Sequence, residues 1–231
     1  MSRTRQAAGG GRAVEVDPAR LAGWFERFAA RNDGVATTSF GAGEVVVSAH
    51  NGTTATARVP FPPLPGGVEG VREGLAVGAL VEQANRPRRI GLLLVRLGGH
   101  SLGIAEHGSV LLSRTDRHHV HGRSAAGGWS QQRFARRREG QARQALRAAA
   151  EDAVEVLLPR LPEVDAIVLG GDRRALDELR ADRRLAPLFA AAASPVLDIG
   201  EPRRTVLEEA ARRAIAVEIV VREGVRPATG P

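Results

Sequence analysis

The chain of 231 residues contains no lysine, so all 33 of its basic residues are arginine. That absence removes the G-x-x-x-x-G-K-[ST] phosphate loop. Cysteine and tyrosine are also absent, methionine occurs once, and aromatic residues make up 3%. Without cysteine there is no disulfide and no thiolate-bound metal. Long apolar runs are missing too. The longest, such as 90–95, falls far short of the ~20 residues that cross a bilayer. The first residues, MSRTRQAAGGGR, carry arginine but no apolar stretch of the kind a secretory leader needs. We therefore expect a cytoplasmic protein. Arginine and alanine in place of lysine fit a GC-rich genome.

A hydrophobic fraction of 43% over this length suits one large domain or two small ones with an ordinary core. The formal charge is +7. Between positions 107 and 138 there are seven arginines (114, 117, 123, 133, 136, 137, 138) and a single acid, Asp116. Nearly all the excess charge therefore sits in one segment, which implies a polyanionic partner.

Along the chain, residues 1–13 read as a disordered tail, rich in glycine and arginine. Asp17-Pro18 starts a helix, with Leu21, Trp24, Phe25 and Phe28 on one apolar face. Two β-like runs, 44–49 and 54–59, flank the hairpin signal Asn51-Gly52, both of which tolerate positive φ. A Pro/Gly crossover follows, and then a helix over about 70–85. These pieces make an N-terminal helix-plus-hairpin region over 14–87.

From 88 to 222 the order is three strands (90–97, 101–106, 109–113), a long helix (131–158), a strand (165–169), a helix (173–184), a strand (195–199), a helix (205–214) and a last strand or helix extension (217–221). Three meandering strands and then α/β alternation predict an α/β domain with a mixed, RNase H-like sheet and helices on its faces. Residues 223–231 read as a tail.

The segment 124–139, SAAGGWSQQRFARRRE, carries the chemistry. Gly127-Gly128 ahead of a helix has the look of a phosphate cradle. The run does not match G-x-G-x-x-G either, so it is no dinucleotide fingerprint. The residues alone leave a flexible glycine loop on a basic helix start as an equal reading.

The Gly128-Trp129-Ser130-Gln131 run, with Gly127 before it and QRFARRR after it, resembles the VLRF family. These are release-factor-like peptidyl-tRNA hydrolases of ribosome quality control, and the run looks most like the actinobacterial branch. The family is similar in its central domain to the eukaryotic and archaeal termination factor, whose loop carries Gly-Gly-Gln. The resemblance covers about 88–221. It implies an RNase H-like domain that hydrolyses peptidyl-tRNA on stalled ribosomes or large subunits, at the peptidyl transferase centre. It also implies that ribosomal RNA and the tRNA supply much of the catalysis.

On that resemblance Gln131 is the catalytic amide, with Gln132 as the alternative. An amide does not titrate, so it would orient water and donate a hydrogen bond rather than act as a base. Gly127 and Gly128 would let the loop adopt positive φ inside a narrow RNA cavity. Arg123, Arg133, Arg136, Arg137 and Arg138 would hold phosphates, and Trp129 would stack on a base or pack back onto the domain. We expect a monomer that needs no cofactor.

Two other constellations are weighed against this. His118, His119 and His121, with His107 and His100, have partly ligand-like spacing, but no matching carboxylate pair is evident, and no metal site is expected. A metal-dependent nuclease needs acids clustered on central strands. The first strand, IGLLLVRL, has none, and Glu106, Asp116, Asp165 and Asp198 are scattered. A ribosome- or RNA-binding module without catalysis is the third reading.

Overall fold

The computed structural model describes residues 4–96, 98–117 and 129–224, with the backbone alone for 117 and 129–139. In chain order the elements are β1 (Thr4–Gln6), β2 (Arg12–Val16), α1 (Leu21–Arg31), β3 (Val35–Phe40), β4 (Glu44–Ala49), β5 (Thr54–Arg58), β6 (Gly70–Glu73), α2 (Gly78–Asn85), β7 (Arg89–Arg96), β8 (Gly99–Glu106), β9 (Ser109–Arg117), α3 (Trp129–Val156), β10 (Ala166–Gly171), α4 (Arg173–Arg180), α5 (Ala186–Ala190), β11 (Ala192–Leu197), α6 (Arg204–Ile215) and β12 (Val217–Arg222). They form two units. One joins Met1–Arg86 with Ile215–Pro231, and the other is Pro87–Ala214.

The first unit is built on a seven-stranded sheet in the order β1-β2-β12-β5-β4-β3-β6, antiparallel throughout. Its core gathers Val14 and Val16, alternate residues of β4 and β5, Val217 and Ile219, and the face of α1. Leu21, Phe25 and Phe28 are buried as their spacing predicts. Trp24 packs edge-on against Phe25 and stacks on Phe28, with centroids at 5.0 and 5.8 Å. Asp17 caps a short 3-10 turn just ahead of α1, its Oδ1 accepting from Ala19 N at 2.9 Å.

Three expectations are corrected here, and a fourth, the Asn51-Gly52 hairpin, is met with one of its two turn residues at positive φ. Residues 4–6 are not part of a disordered tail but pair with β2 across Gly9, Gly10 and Gly11, all at φ between 76° and 90°. The helix over 70–85 is cut to 78–85, because Gly70 and Gly74 sit at φ 89° and 68°, outside helical geometry, and 70–73 pair with β3. In the hairpin only Gly52 takes positive φ, 80°, while Asn51 Oδ1 accepts from Thr53 N at 3.0 Å. Finally, 217–222 does not join the sheet of 88–222. It pairs with β2 and β5, where Val217 and Ile219 enter the first core.

The second unit holds a five-stranded mixed sheet in the order β11-β10-β7-β8-β9. β7, β8 and β9 form an antiparallel meander, and β10 and β11 add in parallel on the other side of β7. This is the α/β layout read from the sequence. β7 is buried on both faces, which is why its sequence is continuously apolar instead of alternating. On one face Leu93, Val95, Leu102, Ile104, Ile167 and Leu169 pack with α3, α4 and α5. Toward the other face, Arg204 of α6 donates to Ser113 Oγ at 2.7 Å.

Two glycines are needed for close approach. A Cβ at Gly103 would lie 2.2 Å from the Leu112 carbonyl oxygen, beside the irregular register of β8 and β9. One at Gly171, with φ 108°, would lie 2.0 Å from that of Val95.

Candidate functional site

The site is organised by α3, whose 28 residues make a rod of about 42 Å. The helix begins at Trp129, two positions earlier than its periodicity predicts. Trp129, Gln131 and Gln132 therefore share its first turn, and Arg133, Arg136, Arg137 and Arg138 occupy the next two. The first four N–H groups of a helix have no acceptor inside it, and its dipole is positive at that end. Arg123, Gly127 and Gly128 lie outside the described residues, as do His118, His119 and His121.

The other end of α3 is fixed to the sheet. Ala145, Leu146, Ala149, Ala150, Ala153 and Val156 are buried, whereas Gly140, Arg143 and Gln144 are exposed. The helix therefore enters the core from Ala145 onward, leaving about 24 Å of backbone between Trp129 and that point.

Three acids near the buried end are each held by cations or an imidazole from other elements. Asp152 accepts from His100 Nε2 on β8 at 2.8 Å and from Arg114 Nη1 on β9 at 2.9 Å. Glu155 accepts from the same guanidinium at 2.6 and 3.2 Å. Glu151 takes both Nη atoms of Arg184 at 3.1 and 2.9 Å. Next to them, Ser101 and Thr115 share a 2.7 Å hydroxyl bond between β8 and β9.

Electrostatics follow from this geometry. Burial pushes the Asp152 carboxyl up, but hydrogen bonds from His100 and Arg114 outweigh it and leave the group below the usual carboxylate range. The Arg114 hydrogen bond holds Glu155 low as well. Arg114 is itself raised, first by Glu155 and then by Asp152. Arg114 and the two carboxylates thus stabilise one another's charged forms.

This clamp is what sequence reasoning missed. Its one local signal is Asp152 standing inside the run Ala148-Ala149-Ala150-Glu151-Asp152-Ala153, where a polar residue interrupts an apolar helix face. His100, weighed as a possible metal ligand, is 1% exposed and engaged with Asp152. His107 occupies the β8–β9 turn at φ 50°, followed by Gly108 at 74°. Among the described residues no three His, Cys, Asp or Glu side chains are grouped to hold a metal. Asp165 accepts instead from Arg89 N at 2.8 Å. No helix among the described residues is long and apolar enough to cross a membrane.

No curated protein matches the chain. Solved structures similar to it include an archaeal translation termination factor, aRF1, at 18% identity over 73% of this chain and 48% of that one, with a TM-score of 0.41. Another archaeal protein is similar at 17% identity over 71% and 48%, with a TM-score of 0.37. Pelota of Archaeoglobus fulgidus is similar at 13% identity over 91% and 64%, with a TM-score of 0.31. The chain thus spans 48% of the length of the first two. Residues 88–220, more than half of the sequence, match the family described as the Actinobacteria/chloroflexi VLRF1 release factor, and the chain belongs to that family.

Proposed function

We infer that this protein hydrolyses the ester between a nascent peptide and its tRNA on stalled ribosomes or large subunits. The observation that carries this reading is the run Gly127-Gly128-Trp129-Ser130-Gln131, whose last three residues open α3 just ahead of its arginines, inside the span that matches a release-factor family. Ester hydrolysis needs a water held against the carbonyl and donors for the developing oxyanion. Gln131 supplies an amide that orients the water, with Gln132 as the alternative. The N–H groups of the first helical turn are donors with no intrahelical acceptor. Arg123, Arg133, Arg136, Arg137 and Arg138 supply charge for RNA phosphates, and Trp129 a surface on which a base stacks. The glycines allow the backbone turn that brings the amide to an ester bound outside this protein.

The protein acts as a monomer on ribosome-bound peptidyl-tRNA, without a cofactor of its own. The deciding experiment measures peptide release from stalled ribosomal complexes by wild type and Gln131→Ala. Loss of release with ribosome association retained supports the reading. Release at the wild-type rate overturns the role of Gln131. Association without release by the wild type makes the protein a binding module instead.

A further inference from the structure

We propose that the outer face of α3 as far as Arg147, beyond the arginines next to the glycine loop, is a docking surface for a single RNA backbone. It rests on the release reading only for the identity of that RNA. At 100° per residue, positions 133, 136, 143 and 147 fall within an arc of about 80°. The buried positions Ala145, Ala149, Ala153 and Val156 lie on the opposite side. Arg143 and Arg147 are exposed, and neither has an ion pair among the described residues. They are one turn apart, ~6 Å along the axis.

The rest of the helix shows why this matters. Glu151, Asp152 and Glu155 are each engaged, Glu151 by Arg184, Asp152 by His100 and Arg114, and Glu155 by Arg114. From 129 to 148 the sequence has one acid, Glu139, against arginines at 133, 136, 137, 138, 143 and 147. Among the described side chains α3 therefore passes from arginines without an ion pair, Arg143 and Arg147, to acids that are all engaged. The row stops at Glu151, where Arg184 closes it.

A polyanionic strand fits this face better than a protein does. Protein interfaces are anchored by large apolar or aromatic side chains. The exposed described positions here are Gly140, Arg143, Gln144 and Arg147, with no such anchor. The exposed large apolar residues of the described chain, Val71, Leu75, Leu111 and Leu112, are on other elements or in loops. Among the described residues the row has no apolar centre, and such a row gives charge without shape selection, which is how a phosphate backbone is held irrespective of sequence.

The test uses the full chain and two probes, a short single-stranded RNA and purified large ribosomal subunits. Binding of wild type, Arg143→Gln/Arg147→Gln and Arg143→Lys/Arg147→Lys is measured across a potassium chloride series. Neutralising both arginines lowers the slope of log affinity against log salt by about 1.4, at ~0.7 per phosphate contact on a single strand. The lysine pair keeps the wild-type slope. Wild-type slope and affinity in the glutamine pair overturn the proposal. So does a loss seen with subunits but not with naked RNA, because the partner is then a protein. RNA binding is read without any ester present. If Gln131→Ala fails to abolish release while the glutamine pair still flattens the slope, the release assignment falls and the docking surface stands.

Discussion

His100 of β8 and Asp152 of α3 meet at 2.8 Å, Nε2 to Oδ2, with the histidine almost wholly enclosed. A carboxylate can only accept, so the imidazole proton sits on Nε2. This contact, with Arg114 on the second carboxylate oxygen, fixes the long helix to the meander that precedes it.

Asp152→Ala removes the acceptor and leaves a buried N–H unmatched, which costs about 1–3 kcal/mol. Urea unfolding read by circular dichroism measures it. Replacing His100 and Asp152 together by leucine costs less than the two single changes added, because no polar group is then stranded. Strict additivity would mean that the pair is not coupled.

Acid acts on the same clamp. Asp152 and Glu155 both lie below the ordinary carboxylate range in the folded chain. Below about pH 4 the unfolded chain therefore binds more protons than the folded one, and stability falls as acid is added. Above that range their contribution is complete. Thermal midpoints taken at a series of pH values show a decline in wild type over the acid range, and a smaller one in Asp152→Asn. Equal declines would remove the clamp from the acid response.

Glycine substitutions separate two uses of the residue. Gly140→Ala, exposed in α3 with nothing within 4 Å of the added carbon, raises stability by about 1 kcal/mol. Gly103→Ala drives a methyl against the Leu112 carbonyl and lowers stability by about 1–3 kcal/mol, the cost of overpacking. Matched denaturation curves compare them. A neutral Gly103→Ala would show that β9 yields freely at that point.

Neutralising Arg133, Arg136, Arg137 and Arg138 together weakens binding to large subunits and flattens its salt dependence by up to about 3 in slope. Co-sedimentation across a salt series reads this. Affinity unchanged at every salt concentration would place these arginines off the RNA.

Much of the second unit was legible because its signals are local. The 3.6-residue period from Ala142 to Leu157 marks α3, and the unbroken apolar run of β7 marks a strand buried on both faces. The first sheet was mostly hidden. β1 and β6 are edge strands with every residue exposed, so no alternation of apolar and polar residues betrays them. β12 does alternate, but its partner residues, such as Ala57 opposite Ile219, are remote in sequence. At the site, the run from Gly127 to Arg138 announces itself by composition. The clamp does not, because His100 and Asp152 each look ordinary until the fold brings them together.

The position of β12 carries a temporal consequence. It lies between β2 and β5, yet the entire second unit precedes it in the sequence. As a chain grows from its N-terminus, β1-β2 and β5-β4-β3-β6 must wait as separate fragments until residues 217–222 arrive to zip them into one sheet. The inserted unit has all its own strands by then, so maturation ends at the half of the protein whose synthesis began first.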